Sequence, residues 1–274
     1  MNKFKKIFFN KGSTAAYAIV SAIFTIVPDD LLISVPIADY WESSVKLLLI
    51  RILICFVVFL LSNGIYCRHI KKRKKVSING NNYTIQVEYG DLLSIHDGKT
   101  VINFDECFTT TVGNNPADIK PDSICGQYLK NYPIDDMKAL INKAGVKPER
   151  KKSEYNNQDK YVSGTIVPNG DFLLMAFAKL DQNGLGHLTY AEYLDCLNKL
   201  WEEIDKWHGT NDVYVPVLGS KITRFDKDLT QQELLDVMIH TYLLSPKKMK
   251  KPFKLHIVCH EREGFSLNNI LGVD

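Results

Sequence analysis

The sequence predicts an α/β layered domain over residues 76–274, preceded by a two-helix transmembrane hairpin over residues 1–75. Three observations lead there. Apolar residues crowd the first 75 positions in two runs, with acidic residues between them. From Val76 onward, short alternating or fully apolar runs that read as strands trade places with runs that read as helices. Two of those helices open with a Thr-x-x-Glu capping box.

The hairpin comes first. Residues 45–65 (VKLLLIRILICFVVFLLSNGI) hold no polar residue but Cys55 between Ile52 and Leu61. About 20 such residues span a bilayer core at 1.5 Å per residue. Lys46 and Arg51 lie near one end, where long side chains snorkel to the interface. Residues 12–27 (GSTAAYAIVSAIFTIV) form a shorter run. Its small residues, Ser13, Ala15, Ala16, Ala18, Ser21 and Ala22, suit close helix contact and point to a homo-oligomer. A cleaved signal peptide is the competing reading of this run.

Charge orients the pair. Lys3, Lys5, Lys6 and Lys11 precede the first run, and Arg68 with the KKRKK stretch 71–75 follows the second. Asp29, Asp30, Asp39 and Glu42 lie between. The excess of positive charge places both ends in the cytoplasm, with Tyr40 and Trp41 at the outer interface. The chain then reads as a multi-pass protein of a cell membrane, with its C-terminal domain cytoplasmic. Directly behind a span, KKRKK reads as a stop-transfer signal touching lipid headgroups, not as a nucleic-acid site.

In the second part, residues 83–89 (YTIQVEY) alternate like a strand, and 100–104 (TVINF) form a short one. Residues 136–144 look helical, and 150–160 are a polar loop. Residues 168–171 (PNGD) read as a turn before the apolar strand 172–180 (FLLMAFAKL). Residues 212–218 (DVYVPVL) and 253–259 (FKLHIVC) read as buried strands. One capped helix runs from Thr189 to about His208, and another starts at Thr230.

With 24% charged and 45% hydrophobic residues and a net charge of +3, the 274-residue chain is ordinary for a globular protein. Its six scattered cysteines show no zinc spacing and read as free thiols in a reducing compartment. Residues 181–192 (DQNGLGHLTYAE) imitate a calcium loop: Asp181, Asn183, Gly186 and Glu192 occupy its first, third, sixth and twelfth places. Leu185 breaks the fifth place. Glu192 serves the capping box of Thr189, and no second loop of this kind exists, so no metal site is assigned. His187 sits at the mouth of this loop.

Residues 215–225 (VPVLGSKITRF) follow a strand. Pro216, Gly219, Ser220, Ile222 and Phe225 match the frame P-x-x-S-T-G-x-x-G-F/Y of the loop with which macrodomains bind ADP-ribose. Successive N–H groups in such a turn can cradle a diphosphate. Gly90-Asp91-Leu92-Leu93 resembles the macrodomain G-D-I-T, residues 102–106 (INFDE) a variant of V-N-A-A-N, and Ser123-Ile124-Cys125-Gly126 the glycine-bearing helix start behind it. Residues 76–259, with VINFDECFTT, GHLTYAEYLDCLNKLWEEID and QQELLDVMIHTYLLSPKKMKKPFKLHIVC, resemble more narrowly the macro domain of membrane-anchored Thoeris antiphage effectors of the ThsA type.

This resemblance implies a macrodomain-like mixed sheet flanked by helices. It implies ligand contacts at Asp91 (adenine), Leu92, Asp105, Glu106, Gly126, Gly219, Ser220, Lys221, Ile222, Arg224 and Phe225. Lys221 and Arg224 stand where the family has glycine, and two cations beside a diphosphate add charge-assisted hydrogen bonds. Asp105 stands where many macrodomains carry asparagine. The implied ligand is an ADP-ribose derivative, histidine-ADP-ribose first, made from NAD by a TIR-domain partner. Binding would then trigger membrane disruption and abortive infection. No catalytic pair stands out, so a sensor is expected and not an enzyme; the alternative is a membrane-tethered ADP-ribosyl hydrolase.

Overall fold

The computed structural model describes residues 10–34, 42–220 and 223–270. Lys3, Lys5 and Lys6, the loop residues Asp39, Tyr40 and Trp41, and Lys221 and Ile222 lie outside the described residues. The chain divides into two compact units, residues 1–73 and 74–273.

In the first unit α1 (Lys11–Ile26) packs along α3 (Ser43–Lys71), with the short α2 (Asp29–Ile33) between them in sequence. The limbs run antiparallel. Asn10 Nδ2 donates to Asn63 Oδ1 at 3.0 Å at one end, and Arg51 pairs with Asp29 at 2.5 Å at the other. The small residues Gly12, Ser13 and Ala16 are buried, and a Cβ on Gly12 would lie 2.7 Å from Tyr66 Cβ. This part of the small-residue run is therefore spent inside the hairpin and not on another copy.

Residues Ser43–His69 of α3 have a mean hydropathy of 2.7 and are long and apolar enough to cross a membrane. At 1.5 Å per residue they reach about 40 Å. The 16 residues of α1 reach only about 24 Å, short of a hydrocarbon core of ~30 Å.

The second unit is built on a nine-stranded mixed sheet. The strands are β1 (Lys75–Asn79), β2 (Thr84–Tyr89), β3 (Lys99–Asp105), β4 (Ile166–Asn169), β5 (Phe172–Leu180), β6 (Gly186–Leu188), β7 (Val213–Pro216), β8 (Arg224–Phe225) and β9 (Leu255–Cys259). Their order is β1-β2-β9-β7-β3-β5-β6-β8, with β4 also paired to β5. β2, β9, β7, β3 and β5 are parallel, while β1, β4 and β6 join antiparallel.

Helices cover both faces, and the period-two alternation of the strands sorts the core. Leu173, Met175 and Phe177 of β5 meet α6 (Tyr190–Trp207) and α7 (Gln231–Leu244) in one apolar cluster. Leu174 and Ala176 meet α4 (Ile124–Asn131) and α5 (Met137–Lys143) in the other. Both capping boxes form, at Thr189/Glu192 and Thr230/Glu233.

Four strands depart from the sequence reading, β6 and β8 by forming inside stretches read as loops. β1 hides behind the basic run, because an antiparallel edge strand keeps an exposed face. β4 includes the Pro168 and Asn169 that read as turn. The actual turn is Gly170-Asp171, which joins β4 to β5, and Pro168 sits on an edge strand where its missing N–H does no harm.

Candidate functional site

Parallel strands carry their C-terminal ends to one edge of the sheet. There β3, β5, β7 and β9 border a cleft of about 360 Å³, lined by Asp105, Leu180, Pro216 and His260 among others. From β3 the chain next builds outward to β5, and from β7 outward to β9. The cleft thus sits where the winding direction reverses, the usual ligand position in open α/β sheets.

The loop after β7 supplies one wall. Gly219 has φ +80°, and a Cβ there would lie 2.5 Å from the Phe225 ring. Glycine is required on both counts. The loop's carbonyls are pinned back: Tyr193 Oη donates to the Leu218 carbonyl at 3.3 Å, and Arg262 to the Ser220 carbonyl at 2.8 Å. The N–H groups of Leu218, Gly219 and Ser220 meet no acceptor among the described residues. Gly219, Ser220 and Arg224 line the cleft.

The start of α4 supplies a second polar feature. Ser123 Oγ caps the Gly126 N–H at 3.0 Å, while Ile124 and Cys125, both lining the cleft, keep their N–H groups without an acceptor among the described residues. Such N–H groups at a helix start favour anions. Lys120 lines the cleft as well, its ammonium held by the Asn114 and Asn115 carbonyls at 3.2 and 2.6 Å.

Asp105 ends β3 beside a bulge: Phe104 pairs with Ala176 but Asp105 with Ala178. A bulge re-aims the side chains around it. Oδ1 of Asp105 accepts the N–H groups of Cys107 (2.8 Å) and Thr109 (3.1 Å). Burial pushes its carboxyl upward, against the pull of these donors, and the neighbouring Glu106 adds to the rise. A ligand hydroxyl donating to the second oxygen would satisfy that carboxylate.

The remaining expected residues fall elsewhere. Glu106 lies behind the cleft, accepting from Ser153 Oγ at 2.5 Å and from the Leu180 N–H at 3.3 Å, with Lys160 Nζ at 3.6 Å. Asp91 is exposed and caps a short 3-10 turn through the Leu93 N–H, and Leu92 is buried in the core. Gly126 admits close packing, since a Cβ would meet the Lys120 carbonyl at 2.2 Å. Phe225 backs Gly219 and meets Tyr193 edge-on at 5.3 Å. Its neighbour Asp226, not an expected contact, is taken by the Tyr190 N–H at 2.8 Å. None of these six is among the residues lining the cleft.

The calcium-like segment is a hairpin between β5 and β6, not a helix-loop-helix. Asp181 Oδ1 accepts the Asn183 and Leu185 N–H groups. Glu192 is held by Thr189 N–H and the Lys179 ammonium, both near 2.8 Å. Its loop nevertheless reaches the cleft through Gly184, Leu185 and Gly186, while His187 stays on β6 outside the lining. Sequence reasoning also missed Lys120, Gln231 and His260. Gln231 follows the capping threonine of α7 and donates to the His260 carbonyl at 3.1 Å, which brings it to the cleft. The second capping box was its only sequence signal.

The sequence matches known proteins. The family model "Thoeris protein ThsA, Macro domain" matches residues 85–260. A Thoeris protein ThsA from Bacillus amyloliquefaciens (strain Y2) is 30% identical over 234 residues, which is 82% of this chain and 74% of that protein. Among solved structures, an Oceanobacillus iheyensis macrodomain mutant with ADPR aligns at TM-score 0.39 and 8% identity, over 69% of this chain and 91% of that one. The macrodomain of the same organism with ADP aligns at TM-score 0.37 and 10% identity, over 69% and 89%. The similarity in sequence, and not these loose overlaps, carries the family assignment.

Proposed function

This chain belongs to the ThsA macro-domain family of Thoeris proteins, and from that premise we propose that it is a membrane-anchored antiphage effector whose cleft senses an ADP-ribose-derived signal. One observation carries the reading. Four N–H groups, from Gly219, Ser220, Ile124 and Cys125, meet no acceptor among the described residues and belong to residues that line one cleft. A diphosphate supplies the acceptors and the charge such groups need. Arg224 and Lys120 add positive charge, and Asp105 is placed to accept from a ribose hydroxyl. Lys221 and Ile222 complete the diphosphate loop in this reading, and Asp91 meets adenine from the end of β2.

The signal is histidine-ADP-ribose, made from NAD by a TIR-domain partner. Its binding switches the hairpin of residues 1–75, seated in the bacterial inner membrane with both ends cytoplasmic, to damage that membrane and abort infection. Lipid contacts come from α3 and the basic run after it, and the hairpins act as a homo-oligomer. Chemistry at the cleft favours sensing over turnover. Cys125 lines the cleft and burial pushes its thiol well up, so it supplies no thiolate nucleophile.

The test is thermal melting of the full chain in detergent with ADP-ribose and with its histidine conjugate. A ligand at 100 times its Kd stabilises by about 2.7 kcal/mol. No shift with either compound at saturation sinks the proposal, and release of free ADP-ribose from the conjugate would replace it with a hydrolase.

A further inference from the structure

The cleft and the point where the chain enters the second unit share one end of the sheet. Lys74 accepts from the Tyr89 N–H at 3.0 Å, and β1 begins at Lys75 against Glu88. Tyr89 is the last residue of β2, so the polypeptide coming from α3 is tied to the same edge that carries the cleft.

The segment 261–270 joins the two places. It leaves β9 after His260, whose carbonyl is held by Gln231. Arg262 then donates to the Ser220 carbonyl at 2.8 Å, on the loop whose N–H groups line the cleft. Further on, Phe265 meets the Tyr89 ring edge-on at 5.8 Å, and the Leu267 N–H donates to the Tyr89 hydroxyl at 3.3 Å. Leu267 and Ile270 anchor the segment in the core. A continuous set of contacts therefore runs from Ser220 through Arg262, Phe265 and Tyr89 to Lys74.

We propose that this C-terminal segment is the strap that transmits cleft occupancy to the chain leading into α3, with Arg262 as the positioning residue that couples it to the anion loop. An anion drawn onto the Gly219 and Ser220 N–H groups orders the residue whose carbonyl Arg262 holds. Loop and strap then settle together, and the strap loads Tyr89 beside Lys74. A route through packed contacts becomes coupling only if both ends bias it, and that can be measured.

This inference rests on the ADP-ribose reading, and hydrogen exchange of the full chain in lipid nanodiscs separates the two. The probes are ADP-ribose and its histidine conjugate at saturation. In the wild type, exchange slows at the cleft (residues 103–105 and 216–220) and also across residues 74–89, there by about fivefold or more, the low end of ordinary coupling between sites. In Arg262→Ala the slowing at the cleft persists and that across 74–89 disappears. Tyr89→Phe, which keeps the ring on Phe265 and removes only the hydroxyl, weakens it in the same direction. No slowing at the wild-type cleft overturns the ligand reading and this proposal with it. Slowing at the cleft that never reaches 74–89, or that reaches it undiminished in Arg262→Ala, overturns the strap alone.

Discussion

The two glycine-bearing loops that wall the cleft are built on opposite plans. The loop after β7 is held from a distance: Tyr193 on α6, Phe225 on β8 and Arg262 after β9 all bear on three residues, Leu218 to Ser220. The β5–β6 loop is held by itself. Asp181 binds the N–H groups of Asn183 and Leu185, and the Gly184 N–H returns to the Asp181 carbonyl at 2.8 Å. A loop that satisfies its own backbone stays where its sequence puts it. One whose N–H groups meet no acceptor among the described residues, while two of its carbonyls are held by other elements, is suited to respond to a ligand and to pass the response on.

The harshest way to break the contrast is through the support behind the self-held loop. Glu106→Ala strips the partner from Lys160 and Ser153 and from the Leu180 N–H at the base of the hairpin. Losing one partner of a buried ion pair costs about 3–5 kcal/mol. Thermal melting should show it as the largest single loss of stability, because even a self-satisfied loop needs its base.

Gly219→Val attacks the other wall. The left-handed backbone and the Phe225 ring both resist a side chain, at a cost to folding of about 1–2 kcal/mol. Affinity for ADP-ribose, read by calorimetry, should fall by more than about tenfold, since a 1.4 kcal/mol loss suffices for that. Unchanged affinity would show that this loop is not the anion site.

Acid provides a finer probe. Glu192 is partly desolvated, which raises its pKa, but the Lys179 ammonium and the Thr189 donors outweigh this and hold it down to about 2, from 4.5. Its folded value is depressed, so its stabilising contribution is complete above pH 4.5 and is lost as the pH falls toward 2. Glu192→Gln should flatten that part of the acid limb in a pH series of melting temperatures, while binding at neutral pH holds.

The mildest change is Asp181→Ala. It removes turn hydrogen bonds on an accessible loop and should lower the melting temperature least of the four, with no loss of ADP-ribose affinity. Calcium titrated into the wild type and this variant should leave both unmoved. A calcium-dependent rise confined to the wild type would restore the metal reading of the loop.

Much of this architecture was legible in advance where local chemistry settles it. The alternation of YTIQVEY, the unbroken apolar run FLLMAFAKL and the two Thr-x-x-Glu boxes each name an element, because strand period and helix capping act within a few residues. The loop after β7 was legible as a tight turn through Gly219, whose left-handed backbone the structure shows. Glu106 was not. It neighbours Asp105 in sequence, yet the bulge beside Asp105 leaves one carboxylate in the cleft and the other on Lys160 and Ser153, a division no local rule contains.

Sequence by itself determined the longer strands, the capped helices, the apolar runs and the family, because hydrophobic period, turn chemistry and motif spacing are properties of contiguous residues. Only the tertiary structure decided which polar groups converge. Lys120, Gln231 and His260 come from three separate stretches, and parallel strands bring their ends together whatever the distance along the chain. Whether a given carboxylate, glycine or arginine faces a ligand or holds a neighbour is settled by that convergence, since burial and hydrogen-bond partners exist only once the sheet has closed.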